Sequence, residues 1–406
     1  MTIKHITINL LIGVFLWMSA TVALAGESYF GLGNNSFGLV QTPYSAKAWG
    51  RSFGMADPDS LQLNFRNYAA WTNIPITTLT LNSSYSLIRA ENPTSISLLD
   101  NANFQGAALG IPVMKRTLTL GANIQPYSTI EQRVAGQTTV DSNTVEQNVF
   151  VHGGLSRANL ILAWKPIERM SFSLGYEYTF GLVTEEAFIK LNDNFDNRFN
   201  FSYQNRVNGH GLVTGLHATP LDGLSLGVQY RPMVTATLVQ TGDTPAKSLN
   251  AAIERPVTLP AEYNFGMEYR WGDRYAAGAD VIYQDWENAF KIDGQKVNGY
   301  APFYRVSMGL ERRGSTRQFI DYGKLIDWRA GWYYTQMAHT FNGQKVMETG
   351  LSIGAGLPLQ RYRSKIDLYI NVSRRGDMDA NKLQEWVFRV GLGISANEIW
   401  FVNVEE

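Results

Sequence analysis

Charged residues recur on one face of several alternating segments of this chain, where they could bind an anion or pair with one another. Glu268 and Arg270 lie two residues apart, as do Lys365 and Asp367. An arginine can hold a carboxylate through two parallel hydrogen bonds, but buried charges in proteins normally pair with each other. We therefore favour a structural network over a ligand site. The candidate residues are Glu177, Glu268, Arg270, Asp280, Arg305, Arg329 and Asp367.

The other motifs that could carry chemistry are weak. Gly31-Leu-Gly33 is not followed by a helical pattern, as a dinucleotide loop requires. Asp377-Met-Asp379-Ala-Asn381 begins like a calcium loop, but Lys382 replaces the glycine and Phe388 the bidentate glutamate. The stretch 192–197 is typical of a solvated turn, and the five histidines have no metal-ligand spacing. We expect no enzyme activity, no metal site and no cofactor.

Composition and the N-terminus indicate an exported protein. The 406 residues carry no net charge and no cysteine, which argues against a nucleic-acid partner and excludes thiolate chemistry. Lys4 and His5 precede an apolar stretch, and Ala23-Leu-Ala25 matches a cleavage site. Residues 1–25 are therefore predicted to be a signal peptide, with an N-terminal membrane anchor as the alternative. No later segment is long and apolar enough for a transmembrane helix.

Strict alternation predicts β-strands with one apolar face. In Met170–Phe180 the even positions are apolar or aromatic and the odd ones are small or polar, and Tyr263–Trp271 behaves likewise. A soluble sandwich buries the apolar face, whereas a membrane barrel turns it to lipid. Charges and glycines on the polar face favour the barrel, with its aromatic residues in a lipid-facing girdle. A soluble exported β-protein is the alternative.

Five glycines at intervals of 51 to 54 residues count the hairpins: Gly121, Gly175, Gly227, Gly278 and Gly331. Short turns at one end alternate with long polar stretches, predicted as loops over 127–146, 183–206, 237–256, 287–301 and 375–386. One turn, from Arg312 to Asp327, is unusually long. Two further rising strands, in Thr77–Leu87 and before Asp367, bring the total to fourteen strands. We predict an all-β fold, a closed 14-stranded antiparallel transmembrane barrel over residues 76–406.

Residues 26–75, which we call the hatch, lack this alternation but contain many aromatic and apolar residues. A long segment without regular structure is uncommon in a compact domain unless it is functional or disordered. Its composition is too apolar for a simple disordered tail. We expect the hatch to fold inside the barrel as a plug.

The order of motifs resembles the FadL family of outer-membrane fatty-acid transporters and hydrophobic-compound channels. Gly54-Met-Ala is followed by Asp57, then by Asn67-Tyr68-Ala69-Ala70 and a Thr- and Leu-rich strand. The family has an Asn-Pro-Ala motif in a hatch inside a fourteen-stranded barrel, and here Tyr68 replaces the proline. Further echoes are Leu259-Pro260, Trp286, Trp328-Arg-Ala-Gly331 and Glu398-Ile-Trp-Phe401.

This resemblance implies passive uptake of hydrophobic or amphipathic small molecules, with hatch movement near Asn67, Tyr68 and Ala69. It places the protein in the bacterial outer membrane as a monomer, in contact with membrane lipid and a hydrophobic ligand. A related branch of the same superfamily resembles the attachment component of type IX secretion systems. The alternative is therefore a protein-handling barrel with a protein partner at the long extracellular loops, or a structural outer-membrane protein.

Overall fold

The structure is a computed structural model that describes residues 26–31, 36–42, 44–140, 143–191, 198–244, 247–315, 321–359 and 364–398. The predicted signal peptide lies outside these residues and stays a prediction. None of the helices in these ranges is long and apolar enough to cross a membrane.

Fourteen antiparallel strands of the described residues form one closed barrel, as predicted. Strand β14 pairs with β1 over its whole length, from Glu398 opposite Thr77 to Gln384 opposite Glu91, which closes the ring. The strands are β1 (Thr77–Glu91), β2 (Ile96–Met114), β3 (Leu118–Val140), β4 (Asn143–Ile167), β5 (Met170–Leu191), β6 (Arg198–Leu221), β7 (Leu224–Arg231 and Val234–Thr244), β8 (Lys247–Leu259 and Glu262–Trp271), β9 (Tyr275–Gln284), β10 (Phe303–Arg312), β11 (Asp327–Phe341), β12 (Gln344–Leu359), β13 (Ser364–Asp377) and β14 (Leu383–Glu398).

The two faces of the wall distinguish a membrane barrel from a soluble sandwich. On β5, Phe172 and Leu174 point outward and are exposed, whereas Ser173 and Glu177 are buried inside. A water-soluble fold would bury the apolar set instead. The outward apolar face and polar interior are those of an outer-membrane barrel.

The wall is much taller on one side than on the other. Strands β3 to β6 are 23, 25, 22 and 24 residues long, whereas β9 and β10 have 10 each. About 9–11 residues suffice to cross the bilayer. The extra length lies at the end opposite the short turns, which is the extracellular end in barrels of this kind.

This height corrects the prediction of long loops. Most of 127–146, 183–206 and 237–256 is strand, with residues 141–142, 192–197 and 245–246 outside the description. Above the membrane both faces of a strand can meet water, so polar residues no longer alternate with apolar ones and the sequence resembles a loop. The 287–301 stretch holds the end of a short helix (Trp286–Ala289) and two short strands (Lys291–Ile292 and Gln295–Lys296), and 375–386 is mostly strand around a tight turn. The unusually long turn contains a 3-10 helix at Tyr322–Leu325, and its residues 316–320 lie outside the description.

The hatch fills the lumen with short elements. They are a 3-10 helix (Tyr29–Gly31), a strand (Leu39–Val40), helix α1 (Ala46–Arg51) and a second 3-10 helix (Tyr68–Asn73). Ser45 caps α1 by accepting a hydrogen bond from the Ala48 amide (3.2 Å), and Ser52 ends it in the left-handed conformation. Trp49 of α1 stacks on Tyr369 of the wall, with ring centroids 5.8 Å apart. The hydrophobic core therefore lies between the hatch and the inner wall.

A split in the wall, which we call the seam, separates the outer halves of β2 and β3. These strands pair only from Ala107–Met114 to Leu118–Ile124 in the described residues. Beyond this point Pro126 lacks an amide donor and Tyr127 bulges out of the β3 ladder. Leu39–Val40 pair with Ser128–Thr129, the Gly26 amide donates to the Asp100 carbonyl (3.3 Å) and the Glu27 amide to the Glu131 carbonyl (2.6 Å). The start of the hatch thus bridges both edges of the seam.

This arrangement predicts a specific cross-link. Leu39 and Thr129 are directly opposite in an antiparallel pair, which is within the range for a disulfide. The chain has no cysteine of its own, so L39C/T129C should form a disulfide in the folded protein under mild oxidation. Mass spectrometry of proteolytic fragments would detect it.

The control is L39C/L351C, because Leu351 points outward on β12 and is 64% exposed. Equal cross-linking in both variants, or none in L39C/T129C, would contradict the position of the hatch in the seam.

Candidate functional site

Arg51 is the centre of a buried charge cluster that joins the hatch to the wall. Its guanidinium is fully buried and lies 2.7 Å from Asp57 of the hatch, 2.7 Å from Glu311 and 3.3 Å from Glu268. Burial alone would raise the pKa of Asp57, but Arg51 and Lys47 beside it hold this pKa below its ordinary value. We call Lys47, Arg51, Asp57, Glu268, Arg270, Glu311, Arg329 and Asp367 the anchor cluster.

Four of the predicted charged residues belong to the anchor cluster. Arg270 pairs with Glu268 (2.6 Å) and with Asp57 (3.3 Å). Arg329 pairs with Glu311 (2.9 Å) and with Asp367, and Gln62 of the hatch donates to the same aspartate. Lys365 does not pair with Asp367 as the spacing suggested. Its partner is Asp327 at the start of β11, two strands away along the wall.

A second cluster surrounds Tyr68. Arg231 pairs with Glu177 (2.9 Å) and Glu262 (2.8 Å), and its Nη2 donates to the Tyr68 hydroxyl (2.9 Å). Arg157 bridges the same two glutamates at 3.2 and 2.9 Å. Arg66 of the hatch lies 3.2 Å from Glu262. We call Arg66, Tyr68, Arg157, Glu177, Arg231 and Glu262 the tyrosine cluster.

The hatch motif is held by hydrogen bonds that explain its residues. Asn67 caps the second 3-10 helix by accepting from the Ala69 amide (3.1 Å) and donates to the carbonyl of Leu216 on the wall (2.9 Å). The carbonyl of Ala69 accepts from the Ser171 hydroxyl (2.9 Å). The amide of Tyr68 donates to Gln229 Oε1 (3.0 Å), a bond that a proline could not make. The tyrosine therefore adds two attachments to the wall that the family's proline would lack.

Asp280 is held by hydrogen bonds rather than by a cation. Its carboxylate accepts from the backbone amides of Gly54 (2.7 Å) and Met55 (3.0 Å) and from the Tyr44 hydroxyl (3.1 Å). These donors stabilise the buried charge in place of an ion pair. Asp280, on β9, thus holds the turn that follows α1 against the wall.

Arg305 stands apart from both clusters. Its guanidinium lies 3.7 Å from the ring centre of Tyr333 and 4.9 Å from that of Trp49. No carboxylate of the described residues forms an ion pair with it, although it is 3% exposed. Cation–π contacts supply part of the lost hydration energy.

Sequence reasoning missed the hatch cations Arg51 and Arg66 and the wall residues Arg157, Arg231 and Glu262. For the last two a signal was present, because Arg231 continues the polar series of Ser225, Gly227 and Gln229, and Glu262 starts that of Glu268. For the hatch residues no periodic pattern marks which side chains meet the wall. Among the described residues no group of His, Asp and Glu is arranged to hold a metal ion.

These clusters are connected to the hatch through buried ion pairs, and most of their members are less than 5% exposed. That geometry suits fastening two parts of one molecule, because solvent and substrate have little access to the charges. The sequence model of the BamG family matches residues 1–405 of this chain. The chain belongs to the BamG family.

Solved structures with a similar fold include a FadL homologue and toluene transporters. A FadL homologue of Pseudomonas aeruginosa has a TM-score of 0.60 at 12% identity, over 89% of this BamG-family chain and 99% of that one. The toluene transporter TbuX of Ralstonia pickettii gives 0.53 at 11%, over 86% and 97%. The toluene transporter TodX of Pseudomonas putida gives 0.52 at 14%, over 88% and 98%. No curated protein matches the chain.

At sequence identities of 11–14%, similarity to these structures shows only that the fold is shared. The expected FadL-like barrel is confirmed, and with it the location in the bacterial outer membrane. What passes through those channels says nothing directly about this BamG-family protein.

The anchor cluster predicts a large stability loss for Arg51→Met. Removing the guanidinium leaves Asp57, Glu268 and Glu311 with less compensation in a buried site, which typically costs about 3–5 kcal/mol. Urea unfolding of the full chain in detergent micelles, followed by tryptophan fluorescence, would measure the change in free energy.

Arg169→Met is the matched control, since Arg169 pairs with Asp222 at 3.3 Å but both side chains are largely exposed. We expect it to unfold like the parent protein. If Arg51→Met were equally harmless, the anchor cluster would not fasten the hatch.

Proposed function

We propose that this BamG-family protein serves the assembly of outer-membrane barrels as a closed, plugged barrel that binds protein partners. The family name supports a role related to barrel assembly. In this proposal the protein is not an enzyme, needs no cofactor and works as a single barrel in membrane lipid. It corresponds to the protein-handling alternative that the sequence left open.

The observation that carries the proposal is the filled lumen. Two cavities beside the hatch measure about 40 and 10 Å³, whereas pockets for drug-sized ligands typically measure roughly 300–1,000 Å³. Moving the hatch would break buried ion pairs in both clusters, those of Arg51 with Glu268 and Glu311 and that of Arg66 with Glu262. A plug fastened in this way favours a structural or docking role over frequent opening.

The tall side of the wall offers a surface for such a partner. Val134, Val149, Ala187 and Phe201 are directly opposite one another across β3 to β6. They lie on the same face as the buried Val183 and Val207, so they point to the inside of the barrel above the hatch. Val134 is 39% exposed. An apolar row that continues the core but remains partly uncovered is a suitable docking surface.

Passive uptake of hydrophobic or amphipathic molecules is the second candidate. The seam favours it, because the backbone hydrogen bonds that bridge the two edges there in the described residues come from the segment 26–41, beside one long side-chain bond from Asn101 to Glu131 (3.4 Å). If this segment moved aside, a path would open from the lumen to the membrane. The two candidates therefore differ in whether the seam must open.

The disulfide-locked variant L39C/T129C separates them. If the barrel acts as a docking scaffold, cells that carry only the locked form should keep normal levels of assembled outer-membrane proteins, because nothing in the scaffold role needs the seam to open. Heat-modifiable gel migration of those proteins would measure assembly, with the same variant under reducing conditions as the control.

Loss of assembly only in the oxidised state would overturn the closed-scaffold proposal. Stoichiometric fatty acid in mass spectra of the purified reduced protein, absent after oxidation, would support uptake instead.

The docking row gives a second prediction. V149Q/F201Q should reduce the recovery of co-purified protein partners at least five-fold, because two apolar contacts at the centre of the row become polar. Quantitative mass spectrometry of the affinity-purified protein would measure the recovery.

Phe188→Gln is the matched control. Phe188 lies on β5, between the two strands that carry Val149 and Phe201, and is 47% exposed. Its side chain points to the opposite face of the wall. Equal losses in both variants would place the partner elsewhere or indicate general damage to the strand.

A further inference from the structure

A small cavity lies between α1 and the wall next to the seam. It measures about 40 Å³, and its charged lining consists of three arginines and two glutamates. The residues that matter are Glu27, Trp49, Arg305, Thr335, Arg375 and Arg389. None of the three arginines is part of the anchor cluster or the tyrosine cluster.

The lining holds more hydrogen-bond donors than acceptors. In the part of the chain that the structure describes, Arg305 Nε and Nη2, Arg389 Nη1 and Trp49 Nε1 are buried without a hydrogen-bond partner. The Thr335 hydroxyl is in the same position, and Glu27 Oε2 is an acceptor there without a partner. Buried polar groups in proteins are almost always paired, so such a set of donors points to an acceptor in the cavity.

The three arginines at the cavity are compensated to different degrees. Arg375 is neutralised by Glu348 (2.7 Å) and Glu385 (3.2 Å). Arg305 and Arg389 have no ion-pair partner among the described residues. Both guanidinium groups instead lie over the Trp49 ring, 4.9 and 4.8 Å from its centre. Stacking of this kind orients the N–H groups but leaves them free to donate.

Packing and hydrogen bonds hold the side chains of Arg305 and Arg389 in fixed positions. Arg305 is 3% exposed and lies 3.7 Å from the ring centre of Tyr333. The Arg389 Nε donates to the Ser86 hydroxyl (3.2 Å). Trp49 is fixed in turn by stacking on Tyr369. Two cations on one aromatic ring repel each other unless a negative charge lies between or near them.

We infer that this cavity is a binding site for a small carboxylate. A planar carboxylate can accept two hydrogen bonds from the Arg305 guanidinium and a further one from Arg389. One water-sized molecule needs about 10–15 Å³ of such space, so the cavity takes roughly three. That is enough for a carboxylate with one or two carbons and far too little for an acyl chain. The inference does not depend on a role in barrel assembly.

The test uses the full-length protein in detergent. Sodium acetate, titrated by isothermal calorimetry against a sodium chloride reference, should bind with a stoichiometry near one. Acetamide has the same shape without the charge and should not bind. Arg389→Gln should weaken acetate binding at least ten-fold, because it removes a donor and a charge. Thr335→Val should weaken it less, because it removes only a hydroxyl. Arg255→Gln is the control, since Arg255 pairs with Asp293, both side chains are exposed, and neither lines the cavity, so binding should be unchanged.

Four results would overturn the inference. Three of them are acetate binding no tighter than chloride, acetamide binding as tightly as acetate, and unchanged acetate affinity in both cavity variants. A long-chain acid such as laurate that binds ten-fold tighter than acetate would reject the size limit. Circular dichroism of each variant would establish that Arg389→Gln and Thr335→Val retain the barrel, so that lost binding reports on the cavity.

Discussion

The structure depends on charges that are buried where the hatch meets the wall. A charge taken out of water is costly unless an opposite charge and hydrogen bonds replace its hydration. Here the two partners come from different parts of the chain. Arg51 of the hatch meets Glu268 and Glu311 of the wall, and Arg66 of the hatch meets Glu262. Each of these wall carboxylates also has a wall arginine beside it, Arg270 at Glu268, Arg329 at Glu311 and Arg231 at Glu262. The hatch adds a further cation to each, and its docking completes the compensation of the buried charges.

Close approach makes this pairing possible, and glycines on the lumen face allow it. A methyl group at Gly227 would overlap the carbonyl of Met55, and one at Gly309 would overlap the carbonyl of Arg51. The hatch backbone therefore touches the wall backbone at the same height as the ion pairs. Four of the five regularly spaced glycines, Gly121, Gly227, Gly278 and Gly331, face hatch residues in this way, whereas Gly175 faces only wall residues.

Alternation along the sequence was enough to predict the closed barrel, its fourteen strands and the side chains that point inward. It could not predict which inward charges meet, since Arg329 and Asp367 lie on different strands and Arg51 lies in a segment without periodicity. It also failed where strands leave the membrane. From Arg133 outward, both faces of β3 are exposed, and its polar sequence resembles a loop although the ladder continues. The seam had a single local sign, Pro126, whose missing amide interrupts pairing.

The replacement of proline by Tyr68 bears most directly on function. At this position proline would leave the Gln229 side chain without the amide it accepts from and Arg231 without the hydroxyl it donates to. Tyrosine supplies both groups from one residue of the hatch to two residues of the wall. A hatch that must move for each transported molecule gains nothing from such attachments, because every opening would break both Tyr68 bonds and the Arg66–Glu262 ion pair. A hatch that only has to keep the barrel closed and rigid gains from all of them. The residue that departs from the FadL pattern is thus a residue that fastens the plug, and this favours a barrel used for the tall wall above the hatch rather than for passage through it.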